Sequence, residues 1–181
     1  MSLFTKPRLI GFVLALVVFA VDQWVKRIVD VDLGMRLGET IDLLPFFDLT
    51  RVHNFGVSMG MFTATSPEMR WGLVLVTAAI ALVVTIWMLR EKAQWDIAGL
   101  GLILGGALGN IVDRVTLGYV LDYADFHIGD FRPFLIFNLA DAAITIGVVI
   151  ILARSFFLRE KQPEPDRDPN PDDAEQSPAE T

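Results

Sequence analysis

Two acids carry most of the chemistry this sequence offers: Asp122 in Gly118-Tyr119-Val120-Leu121-Asp122-Tyr123, and Asp141 in Asn138-Leu139-Ala140-Asp141. Two carboxyl groups a few ångströms apart resist ionising together, so one keeps a proton and the other does not. Such a pair can deprotonate water and protonate a leaving amine, which is peptide hydrolysis without a metal or a covalent intermediate. The two titrate as a coupled unit. Each acid also has a plainer reading. Asp122, taken alone, is a solvated loop acid. Asn138 and Asp141 fit the ends of a capping box, which makes Asp141 a helix cap. The dipole of that helix favours the ionised form, as a general base requires.

Other polar residues fall near the same segments. Asp113 and Arg114 follow Asn110-Ile111-Val112. As neighbours they are expected to face different partners in a structural network, or Arg114 to hold a substrate carbonyl with its forked donors. Asp22 and Lys26 are four apart on one helix face and read as a structural ion pair at the membrane interface. Asn54 and Gly56 flank Phe55 as ordinary turn residues. His53 and His127 are isolated, and nothing has zinc-ligand spacing. The absence of cysteine removes thiol nucleophiles and disulfides. Ser58 with Lys26 would make a Ser/Lys nucleophilic pair, but no motif supports it. No metal and no cofactor is expected.

Positioning these residues falls to strongly apolar elements. The chain is 53% hydrophobic, with a mean hydropathy of +0.49, too apolar for a soluble domain of this size. Four runs approach the roughly 20 residues a bilayer core needs: about Arg8 to Val29, Ser66-Pro67-Glu68 through Leu89, Trp95 to Val112, and Asn138 to Leu158. The first resembles a signal peptide in position but lacks a small-x-small cleavage site, so it is read as retained. Ser66, Pro67 and Glu68 form a helix-start signature. The loops, about 30–67 and 113–137, lie on one side, and alternating patches in the first predict short strands. The predicted fold is an all-α membrane protein of four transmembrane helices, spanning 1–161, with a small extracytoplasmic β-like cradle from the first long loop. No internal repeat is visible.

Residues 162–181 form an acidic, Pro-rich tail expected to be disordered and cytoplasmic. It holds seven acids and one Arg, so it accounts for -6 of the net charge of -7. The membrane body is therefore near neutral, without a nucleic-acid footprint. Lys and Arg are denser near the N-terminus, the 90–95 connector and the stretch after the fourth helix, which predicts both termini in the cytoplasm and both loops outside. Gly99, Gly101, Gly105, Gly106 and Gly109 in the third segment allow close helix contact, or, at Gly105, Gly106 and Gly109, room for a substrate beside the helix.

The chain resembles lipoprotein signal peptidase (signal peptidase II) across about residues 8–158. The resemblance rests on Gly105-Gly106-Ala107-Leu108-Gly109-Asn110 with Asp113-Arg114, on Gly118 with Val120 and Asp122, and on Phe137-Asn138-Leu139-Ala140-Asp141. Asp22 with Lys26 and Asn54 with Gly56 also match. It implies that Asp122 and Asp141 are catalytic aspartates, and that Asn54, Gly56, Gly106, Asn110, Asp113, Arg114, Val120, Asn138 and Ala140 bind substrate or support the site. It implies a bacterial inner-membrane enzyme that cuts prolipoproteins before a diacylglyceryl-modified cysteine. Its partners would be those substrates and membrane lipids, without nucleic acid, and a monomer is expected. The sequence departs from the family pattern at Phe55, at Val57-Ser58-Met59-Gly60 and at Tyr123. Two alternatives stand beside this. One is a small proton-coupled transporter, although its acids would usually lie near the midplane. The other is a membrane scaffold in which the acids only cap helices.

Overall fold

A computed structural model of the chain describes residues 5–56 and 66–157. Ser58, the run 57–60 and the acidic tail lie outside the described residues. Four helices are long and apolar enough to cross a membrane: α1 (Lys6–Arg27), α2 (Pro67–Arg90), α3 (Gln94–Thr116) and α4 (Leu139–Phe157). α1 continues into a π-helical turn, Ile28–Asp32. As predicted, α2 opens on Ser66, whose hydroxyl accepts from Met69 N at 3.4 Å, with Pro67 in the first turn.

The helices surround α3. Half of its apolar window is buried, against about a fifth for each of the others, because it alone touches α1, α2 and α4 extensively. The bundle core joins Ala15, Ala81, Val84, Met88, Ile97, Leu100 and Leu104. Large apolar side chains such as Leu16, Leu75, Val83 and Val149 face outward, as expected of surface that meets lipid. At one end of the bundle Arg154 pairs with Asp96 at 3.0 Å. The acids of interest cluster at the other end.

Close helix contact is what the glycines provide. A Cβ at Gly105 would lie 2.5 Å from Ala15 O. One at Gly106 would strike Ala140 O, and one at Gly109 would strike the Asp22 carboxylate. The space beside Gly105, Gly106 and Gly109 is therefore filled by α1 and α4, and the substrate-room expectation is corrected.

The expected strands form in the first loop: β1 (Thr40–Leu44) and β2 (Phe47–Asn54). The second loop then differs from expectation. It supplies a third strand, β3 (Val120–Phe126), paired antiparallel with β2 in the order β1-β2-β3. The sheet thus draws on both loops rather than the first alone. β3 carries no alternating pattern because its residues are buried almost throughout, so no polar face alternates with the apolar one. α3 also runs four residues past Val112 to Thr116. Just beyond its end, Gly118 has φ +89 and donates its N–H to Asp113 O at 3.2 Å, a positive-φ close that glycine favours.

Candidate active site

The site forms where β3, the C-terminal ends of α1 and α3, and the start of α4 meet. Asp122 is not the solvated loop acid of the plainer reading, nor does it lie at a helix end. It sits on β3 at 2% exposure, opposite Val52. The pairing slips between Leu49 and Val52, a bulge of the kind that re-aims side chains. Asn54 pairs with Val120, two residues before Asp122. The two side chains are diagonal neighbours on one face, and Asn54 Nδ2 donates to Asp122 Oδ2 at 3.0 Å. Asn54 Oδ1 accepts from Gly56 N at 3.0 Å, closing the turn that fixes it.

The start of α4 explains Asp141. Asn138 Oδ1 accepts from Asp141 N at 2.9 Å, and Asp141 Oδ2 accepts from Asn138 N at 3.4 Å. This is the reciprocal capping box that the sequence predicted. The remaining N–H groups of that first turn also have partners, as a buried helix start requires. Leu139 N donates to the Tyr123 hydroxyl at 3.2 Å and Ala140 N to Asp22 Oδ1 at 3.0 Å. A backbone bridge between Ala124 and Phe137 ties β3 to the chain just before α4.

Asn138, fully buried, joins the two acids. Its Nδ2 donates to Asp122 Oδ1 at 2.7 Å and to Asn110 Oδ1 at 3.2 Å. Asn110 Nδ2 in turn donates to Asp141 Oδ1 at 2.8 Å. The helix cap commits Asn138 Oδ1 to Asp141 N, so only its N–H groups remain for Asp122. Both carboxylates line one cavity of about 680 Å³. Burial first, and the neighbouring Asp141 charge second, push the Asp122 carboxyl up to about 7.

Beneath this pair lies a buried charge cluster. Lys26 Nζ is 2.8 Å from Asp22 Oδ2 and 2.8 Å from Asp113 Oδ2, and it donates to Asn110 Oδ1 at 3.3 Å. The predicted Asp22–Lys26 pair is thus present, extended by Asp113. Asp113 and Arg114 do face different partners. Asp113 Oδ2 accepts from Leu121 N at 3.1 Å. Arg114 donates to Gly56 O at 2.9 Å and to Asn110 O at 3.3 Å. Val120 and Ala140 are buried between these elements.

Sequence reasoning passed over Gln23 and Tyr123 as site residues. Gln23 Nε2 donates to Asp113 Oδ1 at 3.0 Å, and a lone amide in an apolar run was the available signal. The Tyr123 phenol, pushed up by burial, caps α4 with an oxygen that phenylalanine lacks. The histidines are not isolated, contrary to expectation: His53 stacks on Tyr119 with centroids 3.7 Å apart and lines a cavity that also reaches Asp122, and His127 Nε2 lies 3.0 Å from Asp48.

A family model described as signal peptidase (SPase) II matches residues 14–157. The chain belongs to the signal peptidase II family. The lipoprotein signal peptidase of Sphingopyxis alaskensis is 52% identical over 162 residues, covering 90% of this chain and 94% of the relative. That of Rhizorhabdus wittichii is 50% identical over 153 residues, covering 84% and 89%. A bacterial membrane enzyme solved by the in meso method at 2.3 Å resolution is similar with a TM-score of 0.71 at 27% identity, covering 85% of this chain and 94% of that one. Membership of the signal peptidase II family supports a hydrolase and a multi-pass bacterial membrane protein, and it does not support the ion-carrier alternative.

Proposed function

We propose that Asp122 and Asp141 are the catalytic pair of a membrane aspartyl endopeptidase that removes signal peptides from diacylglyceryl-modified prolipoproteins, cutting before the lipidated cysteine. The observation that carries this reading is the bridge through Asn138, whose side-chain amide donates to Asp122 Oδ1 and whose backbone N–H donates to Asp141 Oδ2, while burial pushes the Asp122 carboxyl up to about 7. In this reading Asp122 carries the proton, and the pair titrates as one unit. Among the described residues Asp141 Oδ2 accepts only the long bond from Asn138 N, so its lone pairs are the freer ones to take a proton from water. Asp122 then protonates the departing amine. No metal enters these steps.

Burial at a helix-bundle end suits this substrate class. A diacylglyceryl group partitions into lipid at about 0.8 kcal/mol per CH₂, which pins the scissile bond near the headgroups. Positioning of that kind supplies much of a rate. In this reading the sheet is an extracytoplasmic cradle, both termini are cytoplasmic, and the enzyme works as a monomer. Asn54, Gly56, Asn110, Arg114, Val120, Asn138 and Ala140 shape the pocket, and Gly106 and Asp113 support it. The test is purified enzyme in nanodiscs, offered a diacylated precursor and the same precursor with Ser for the modified Cys. The reading requires cleavage of the first alone, with a product that begins at the lipidated cysteine. Equal cleavage of both precursors contradicts it.

A further inference from the structure

Three cavities meet at the acids, and they differ in what lines them. The first, about 580 Å³, is bounded by residues 52–56, Asp122 and residues 132–136. None of these belongs to a spanning helix. The second adds Asp141, Ala142, Thr145 and Ile146 of α4. The third, about 270 Å³, runs between α2, α3 and α4 past Thr77, Ile103 and Ile144. Asn54 borders all three.

A lipidated precursor has parts that sort by polarity. Its signal helix and acyl chains belong against the spanning helices, where cavities two and three lie. The chain that follows the cysteine is polar and must leave toward water, and of these three cavities the first alone has no spanning-helix residue in its lining. Arg132 stands in that cavity. Its Nε lies 3.1 Å from both oxygens of Asp125, which is 2% exposed, while the arginine side chain is 53% exposed. Thr50 Oγ1 donates to the same carboxylate at 3.4 Å. A buried acid thus holds the guanidinium by its inner edge. Arg132 lines the cavity, and its two terminal nitrogens have no acceptor among the described residues.

We propose that the cavity between the sheet and residues 132–136 receives the polar chain that follows the lipidated cysteine, and that Arg132 is a positioning residue whose outer N–H groups bind main-chain carbonyls of that segment. Planar, forked donors suit a run of carbonyls better than a point charge does. This rests on the peptidase reading above.

The experiment uses the full chain in nanodiscs and two diacylated lipopeptides. One ends at the cysteine as an amide, and the other continues five residues beyond it. R132Q should lower kcat/KM for the long peptide about tenfold, mostly through KM, and leave the short one unchanged. Because Arg132 also neutralises buried Asp125, D125N/R132Q is measured beside it and should show the same split. Equal losses on both peptides, or no loss on either, overturn the proposal. A wild type that cuts neither peptide defeats the peptidase reading, and this inference with it.

Discussion

At the scale of single residues, the site is a problem of hydrogen-bond supply. Asp122 is buried, accepts from two asparagines and still resists ionisation, because burial and the Asp141 charge outweigh the two N–H donors. Two consequences follow from that direction. If the working form has Asp122 protonated, activity falls as pH rises through about 7, and a pH–rate profile from 5 to 9 checks it. Stability moves the same way. A group raised from 3.8 to about 7 on folding gives stability that is whole below the lower value and lost as pH climbs through the upper one. The thermal midpoint should therefore decline between pH 5 and 8, and D122N should flatten that decline.

At the scale of elements, glycine decides how near α1 and α4 come to α3. G109A places a methyl group against the Asp22 carboxylate, which accepts from Ala140 N and pairs with Lys26. Overfilling of this kind costs about 1–3 kcal/mol, so a clear drop in thermal midpoint is expected. G72A is the control. Among the described residues it has nothing within 4 Å of the new atom, and it should hold or slightly raise stability, since alanine suits a helix interior better. Thermal unfolding in one detergent compares them. The helices were legible in the sequence because length and apolarity alone specify a span, and Ser66 and Asn138 marked two starts. β3 was not legible. Asp122 and Asp125 look like solvent-facing acids in a row of letters, and only their partners Asn138, Asn54 and Arg132 make them buried strand residues.

At the scale of the whole molecule, polar chemistry is concentrated at one end of an otherwise apolar bundle. The sequence revealed which residues matter more readily than how they connect. Lys26 was paired with Asp22 from helical spacing, but Asp113 and Asn110 reach it across helices, and no spacing rule records that. The proposed orientation, with both termini in the cytoplasm, rests on charge bias and is open to a direct check. The chain has no cysteine, so single cysteines can be introduced without altering a background. One at exposed Glu39, before β1, should react with an impermeant maleimide in intact spheroplasts, and one at exposed Lys92, between α2 and α3, should react only after lysis. The central claim concerns the two acids, and one measurement reaches it most directly: cleavage of a diacylated prolipoprotein by D122N and by D141N in nanodiscs, each verified as folded and inserted. General acid–base roles predict losses of about 10²–10⁴-fold or more in each variant. Near-normal cleavage by either one would contradict the account.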